Sequence, residues 1–456
     1  MRSKLENYKS FVEKKSQLIS GDGFKPIRIP DFLYPFQKYL TDWAIRRGRD
    51  AIFAECGMGK TPMQLAWAEN ILRKTNKPVL ILTPIAVGFQ TEKEGEKFGI
   101  ECHRSRDGKV YPITITNYER LHYFNRNDFS GIVADESSAI KHFTGKRQKY
   151  TTEFMKKIRY RLLCSATPAP NDYVELGTSS EALGQLGYMD MLSMFFRTKD
   201  GAMHRTWGLG QKYFFKAHAK DQFWRWVCSW ARAIRLPSDL GFKDDRFILP
   251  PLDIEETTIK TDFIPDGFLL PVPSVTMSEE RQELRATVEE RCKIAAGKVI
   301  DTGEPAVVWC HLNTEGDLLE KLIPDAEQIS GSNTEEEKEE KLIGFSKGDI
   351  RVLITKPKIG GWGMNWQHCA HMTVFPSHSF ESYYQSVRRC WRFGQTRPVK
   401  VDIITTEGQE GIIRNLKRKE KQAEEMYKLI VREMKNILNI KSIVDFKTKE
   451  EIPSWL

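Results

Sequence analysis

Short apolar runs alternate along this chain with longer stretches whose apolar residues fall three or four apart, the pattern of strands separated by helices. In the first half the strand candidates are DAIFAE (50–55), PVLILTP (78–84), YPITITNY (111–118), GIVADES (131–137) and YRLLCSATP (160–168). Helical stretches such as MQLAWAENILRK fit between them. Runs that are apolar throughout belong to strands buried on both faces, so a parallel sheet covered by helices is expected. A second series of the same kind starts near residue 305 with PAVVWCHLN, AEQISGS, IRVLITKP, HMTVFPSH and VKVDIITTEG. The pattern predicts an α/β protein with two parallel-sheet domains in tandem, over 31–171 and 305–408.

The pattern changes between the two series. Residues 172–250 read as a helical, aromatic-rich insertion. Within it, FWRWVCSWARAI sets Trp226 and Trp230 one helical turn apart, as a core stripe or as a surface that guides a polymer. The proline-rich ILPPLDI and FLLPVPSV mark a linker, followed by a helix, over 251–304. Residues 1–30 are expected to hold a short amphipathic helix (4–19) and a lead-in. TEEEKEEKLIGF (334–345) reads as a helix with a solvated acidic face. A long Lys/Glu-rich helix occupies 409–456, and its Ile412, Leu416, Met426, Ile430 and Met434 are expected to pack on the second domain.

Composition adds little. The 456 residues carry 70 Lys plus Arg against 61 Asp plus Glu, a net charge of +9 that points to an anionic partner only weakly. The eight cysteines form no C-x-x-C pair, and several lie in apolar runs where a reduced cysteine acts as a small hydrophobe. His368-Cys369-x-His371 has local metal spacing but no second pair. No signal peptide or apolar run of membrane length is present, so the expected location is the cytoplasm, with no membrane partner.

The first candidate chemistry follows the strand AIFAE. CGMGKT (56–61) leads into a helix, and Gly57 and Gly59 let backbone N–H groups wrap closely around phosphates. With Met58 they form a loop in which Lys60 reaches the β and γ phosphates and Thr61 ligates Mg2+. The full phosphate-loop pattern calls for a glycine five residues before Gly59, where Ala54 stands. Downstream, GIVADESSAIK ends an apolar strand with Asp135 and Glu136. Asp135 would hold Mg2+ and Glu136 would orient and deprotonate the attacking water, unless the pair simply caps the next helix.

At this point the chain resembles the superfamily-two helicases, specifically the Swi/Snf-type ATPases, through ordered motifs over roughly 31–435. LYPFQKYLTDWA looks like the segment whose glutamine, here Gln37, reads adenine. AECGMGKT is similar to the first helicase motif, and LTPIAVGFQ and TITNYERL to the strand-contacting motifs after it. DESSAIK resembles the second motif, with Ser137 and Ser138 in place of the more familiar Ala-His. CSATPAPND resembles the third, which places Ser165 and Thr167 in coupling. VVWCHLNT, ISGSN and TKPKIGGWGMNWQ look like the fourth and fifth. QSVRRCWRFGQTRPV is similar to the sixth, with Gln385 in coupling and Arg389 and Arg392 as γ-phosphate sensors. If 385–395 is helical, Gln385, Arg388, Arg389 and Arg392 share an arc of about 100°. Arg388 lies outside the pattern, as a salt bridge or a DNA contact. Trp391 either packs or stacks on a base, and Trp362 and Trp366 are either core or polymer-facing.

The resemblance implies two RecA-like domains, ATP and Mg2+ as cofactors, and DNA held by sequence-independent phosphate contacts. Thr83, Pro84, Thr116 and Asn117 would line the DNA track from the first domain, and Ser332, Thr355, Gly361 and Asn365 from the second. The implied function is an ATP-driven DNA translocase or helicase, acting as a monomeric motor of the sort phages carry, in replication, recombination or repair. An RNA helicase and an ATP-gated recruiter without motor activity are the alternatives.

Overall fold

A computed structural model describes residues 22–85, 87–141, 143, 145–198, 213–260, 277–360 and 365–441. The predicted helix at 4–19, Gly361 and Trp362 lie outside them. The chain divides into two units, one holding residues up to Asp244 together with those from Ala423 on, the other Asp245–Gln422.

The first unit is built on seven strands: β1 (Arg49–Ala54), β2 (Val79–Thr83), β3 (His103–Arg104), β4 (Ile113–Asn117), β5 (Gly131–Asp135), β6 (Tyr160–Cys164) and β9 (Ala231–Ile234). They pair in parallel in the order β3-β4-β2-β5-β6-β1-β9. β2, β5 and β6 are buried along their whole length, as continuous apolar runs demand of a sheet covered on both faces. β7 (Phe196–Thr198) and β8 (Tyr213–Phe215) form a separate antiparallel pair.

The expected helical insertion is in part an extension of this sheet. Of the helices Leu176–Leu183, Tyr188–Phe195 and Ala219–Trp230, the last runs directly into β9, which pairs with β1. The aromatic stripe is core: Phe223, Trp224, Trp226 and Trp230 are buried, and Trp230 meets Phe53 of β1 edge to face at 6.0 Å. Packing on the sheet, not a polymer, accounts for these rings.

The second unit holds six parallel strands in the order β10-β15-β14-β11-β13-β12. They are β10 (Leu252–Ile259), β11 (Ala306–Trp309), β12 (Ala326–Ile329), β13 (Val352–Thr355), β14 (His371–Val374) and β15 (Val399–Thr406). β10 corrects the linker reading of 251–304, since all eight of its residues pair with β15. Its exposed, acid-rich face suits an edge strand: Glu255 bonds Lys298 at 2.7 Å and Lys400 at 3.1 Å, and such charges discourage further pairing. Trp366 is core, fully buried against Trp309 and Phe345 with its indole N–H donating to Ser346 Oγ at 3.1 Å.

The C-terminal helix, Glu410–Lys441, requires a second correction. Ile413 packs in the second unit's core, but Met426, Tyr427, Ile430 and Met434 belong to the core of the first. A 32-residue helix spans about 48 Å, longer than one domain face can bury. All eight cysteines are buried and unpaired as disulfides. His371 of the metal-like tract donates to Asp402 at 2.7 Å, and among the described residues no cluster of three or more His, Cys, Asp or Glu could hold a metal. Among those residues no helix is long and apolar enough to cross a membrane.

Candidate active site

Three neighbouring strands of the first sheet, β1, β6 and β5, deliver the site from their C-terminal ends. Register places Ile52, Cys164 and Asp135 level with one another, so the loops that follow leave the sheet side by side. Ligands of open α/β sheets bind at this edge.

The loop after β1 turns at Gly57 (φ +89°) and Gly59 (φ +77°), both in the left-handed region that glycine enters without strain. Gly59 caps the helix Lys60–Thr75, whose first N–H groups face the loop. Ala54 needs no glycine, because it ends β1 in extended backbone and its carbonyl accepts from Lys60 Nζ at 3.2 Å. Gln37, in the helix Pro35–Arg47, donates to Met58 O at 2.9 Å and accepts from Tyr34 N at 2.9 Å. A Cβ on Gly59 would lie 2.2 Å from Gln37 Nε2, so the loop and Gln37 are built for one another.

Asp135 and Glu136 have separate partners. Gln64 Nε2 donates to Asp135 Oδ1 at 2.6 Å, and Tyr118 donates through its hydroxyl to the Asp135 carbonyl at 2.7 Å. Lys60 Nζ lies 3.7 Å from Glu136 Oε1, and Ser165 Oγ donates to Glu136 Oε2 at 3.3 Å. Ser165 Oγ also accepts from Thr167 N at 3.0 Å. The helix-cap alternative fails, because Glu136 precedes the short helix Ser137–Ile140 without any side-chain capping bond. Glu136 also adopts φ +48°, an uncommon and strained conformation for a residue with a Cβ, of the kind that collects at functional sites.

The electrostatics fit a phosphate site. Burial, and then the neighbouring Glu136 carboxylate, push Asp135 up to about 7 despite Lys60 and Gln64. Burial works against charge on Lys60 as well, but Glu136, Cys56, Asp135 and Glu55 outweigh it and raise the amine further. Lys60 therefore stays cationic beside Asp135 and Glu136.

The DNA-track candidates are placed unevenly. Thr83 and Asn117 are register partners at the ends of β2 and β4, with Pro84 and Thr116 beside them. The hydroxyls of Thr83 and Thr116 turn inward, the first to Thr116 O at 3.5 Å and the second to Ser105 O at 2.9 Å. In the second unit Thr355 is buried and donates to Ile329 O at 3.4 Å, while Ser332 is exposed. Asn365 keeps a buried carbonyl oxygen with no protein partner.

The arginine segment departs from a continuous helix. The helix Phe380–Cys390 stops before Trp391, so Arg392 lies on the turn beyond it. Gln395 ties that turn down, donating to Gln367 O and Cys369 O at 2.9 Å each. Arg389 is buried and donates through Nε to Gln385 O at 3.1 Å. Arg388 is buried too, 4.2 Å from the Trp391 ring centre and 5.3 Å from that of Tyr384. Trp391 Nε1 donates to Pro250 O at 2.7 Å, which makes it a packing residue.

No family model matches the chain. DNA annealing helicase and endonuclease ZRANB3 of Mus musculus is 29% identical over 443 residues, covering 84% of this chain and 40% of that protein. Putative ATP-dependent helicase/translocase YwqA of Bacillus subtilis is 22% identical over 445 residues, covering 82% of this chain and 46% of that protein. Putative protein p41 of Acyrthosiphon pisum secondary endosymbiont phage 1 is 21% identical over 468 residues, covering 82% and 92%. The chain is thus similar over most of its length to DNA helicases and helicase/translocases. It spans less than half the length of the mouse and Bacillus relatives. Its two parallel sheets agree with the two parallel-sheet domains expected from the sequence, and the segments CGMGKT, DESSAIK and CSATP lie at the ends of β1, β5 and β6.

Sequence reasoning passed over Gln64, Tyr118, Glu55 and Arg235. Gln64 had a usable signal, one helical turn after Lys60 and so on the same helix face. Tyr118 meets Asp135 and Arg235 meets Glu55 from elements distant in sequence, with no local spacing to mark them, whereas Glu55 directly precedes the loop and reads there as the polar end of a strand.

Proposed function

We propose that the chain is an ATP-driven DNA translocase, hydrolysing ATP on the first unit and moving along or remodelling DNA. One observation carries this reading most directly. Lys60, at a glycine-turned helix start, sits 3.7 Å from a Glu136 carboxylate that serves no structural cap. Gln37 and the Gly57–Gly59 turn receive the nucleotide, and Lys60 meets its terminal phosphates. Glu136, oriented by Ser165, takes the proton of the attacking water. Arg389 and Arg392 supply the γ-phosphate contacts in the ATP-bound form. The relatives described as a DNA annealing helicase and a helicase/translocase support DNA as the polymer.

Mg2+ fits the donor set. The half-buried Thr61 at the helix start and Asp135, one of whose oxygens Gln64 holds, give two oxygen ligands, and this ion is commonly held by few protein groups plus phosphates and water. When bound it neutralises charge on the phosphates. The motor is read as a monomer acting in replication, recombination or repair, and the similarity to a phage protein fits a motor of the sort phages carry.

The test is phosphate release with no polymer, single-stranded DNA, duplex DNA and RNA, alongside Lys60→Ala and Glu136→Gln. DNA stimulation that both variants abolish is the expected result. Stimulation by RNA alone would make the chain an RNA motor, and no stimulation by any polymer would leave an ATP-gated binding module. Normal hydrolysis by Glu136→Gln would remove Glu136 as the base.

A further inference from the structure

Tyr427 lies in the C-terminal helix, 261 residues from the third motif, yet its hydroxyl donates to Ala166 O at 2.7 Å. Ala166 is buried between Ser165 and Thr167, and a buried carbonyl left unpaired is costly. Ser165 is the residue whose hydroxyl holds Glu136 Oε2, while also accepting from Thr167 N. The orientation of the Ser165–Thr167 turn therefore decides whether Ser165 faces Glu136, and Tyr427 fastens the middle of that turn. Burial, with the Glu55 carboxylate close by, pushes the Tyr427 phenol well above its ordinary range, so it stays a donor.

A second arm runs from the same ring to the phosphate loop. The Arg235 guanidinium lies 5.6 Å from the Tyr427 ring centre, and its Nε is 3.5 Å from Glu55 Oε2. The other Glu55 oxygen accepts from Cys56 N at 2.9 Å, the N–H that opens the loop. The helix itself is held independently of the hydroxyl. Met426, Ile430 and Met434 are buried in the core, and Cys228 Sγ donates to Ile430 O.

We infer that Tyr427 is a positioning residue for Glu136, acting through the Ala166 carbonyl and the Ser165 hydroxyl. It touches no reacting atom. The role rests on the ATPase reading given above. Without the hydroxyl, the Ser165–Thr167 turn loses its anchor and Glu136 loses a fixed partner on Oε2, whereas Lys60 and the glycine turn keep their geometry. The defect falls on turnover and not on ATP binding.

The experiment is DNA-stimulated ATP hydrolysis by the full chain, comparing wild type, Lys60→Ala, Tyr427→Phe, Ser165→Ala and the double variant Ser165→Ala/Tyr427→Phe. Tyr427→Phe keeps the ring and its packing, so thermal unfolding stays close to wild type. The expected kcat loss is about tenfold, the size of one lost hydrogen bond, with KM for ATP within about twofold. The double variant is expected to be no slower than Ser165→Ala alone, because both changes cut one chain of contacts. Wild-type kcat in Tyr427→Phe, or losses that multiply in the double variant, overturns the positioning role while leaving the ATPase reading standing. A wild-type chain no more active than Lys60→Ala overturns both.

Discussion

Gly59→Ala separates two costs that a phosphate loop can impose. The first is conformational: Gly59 sits at φ +77°, and a left-handed backbone costs a residue with a Cβ about 1 kcal/mol. The second is steric. The new Cβ would fall 2.2 Å from Gln37 Nε2 and 3.3 Å from Pro62 Cγ, so Gln37 must leave. Its departure breaks the buried bond to Met58 O, which adds about 1–2 kcal/mol. The sum is about 2–3 kcal/mol for the first unit.

Gly241 provides the control. It has φ +81° in the same unit, but an added Cβ there meets nothing within 4 Å, so Gly241→Ala carries the strain without the clash. Urea unfolding should show Gly241→Ala lower by about 1 kcal/mol and Gly59→Ala by about twice that or more. In Gln37→Ala/Gly59→Ala the clash is gone, so the two changes together should cost less than the sum of each alone. Titration with a fluorescent ATP analogue should show Gly59→Ala binding at least about tenfold more weakly, each 1.4 kcal/mol at the loop being a factor of ten. Equal losses in Gly59→Ala and Gly241→Ala, or strict additivity with Gln37→Ala, would refute the claim that Gly59 and Gln37 share one space.

Arg392→Ala should retain DNA binding but lose hydrolysis by about 10³-fold, measured by fluorescence anisotropy and phosphate release; loss of DNA binding with intact turnover would make the turn a DNA grip. In the second unit, burial alone would raise the Asp402 carboxyl, but hydrogen bonds from His371 and Lys298 outweigh it and hold it down at about 2. A folded pKa below the unfolded one stabilises above about pH 4, and that stability disappears as the pH falls toward 2. Asp402→Asn should therefore lower stability by about 2–3 kcal/mol at pH 7, with the gap to wild type closing below pH 4 in denaturant titrations. Trp366→Ala should cost the second unit about 3–5 kcal/mol in the same titrations, and a loss under 1 kcal/mol would contradict its placement between Trp309 and Phe345.

The central strands and the loops that gather the candidate phosphate-site residues were legible because their signals are local. A parallel strand buried on both faces shows as an apolar run, and the chemistry follows each run within a few residues, as in AIFAECGMGKT and GIVADE. β10 and β9 had no such signal. β10 is an edge strand exposed at Glu255 and Glu256 on its two opposite faces, and it exists through pairing with β15, some 150 residues later. β9 follows the helix Ala219–Trp230 with no turn residue between, and only its pairing with β1 marks it as a strand. The second half of the C-terminal helix was misplaced for a related reason. Its apolar stripe shows that a face is buried but does not say against what.

The three arginines of RRCWR show how far a residue's own spacing can be trusted. They lie within five residues, yet they differ in surroundings: Arg388 between two aromatic rings, Arg389 bonded to the helix backbone at Gln385, and Arg392 on the turn beyond the helix end. Counting charge would treat them as one basic patch. The helix stop at Cys390, fastened by Gln395 from five residues further on, is what sets Arg392 apart. The same logic holds in the first unit, where Asp135 and Glu136 are adjacent but answer to Gln64 and to Ser165 respectively. Roles in this chain are assigned by the partner each side chain meets. Those partners lie 71 and 29 residues away for the two carboxylates, and 261 for the tyrosine that anchors the third motif. A motif therefore points to candidate reacting groups, whereas what aims them has to be read from the fold.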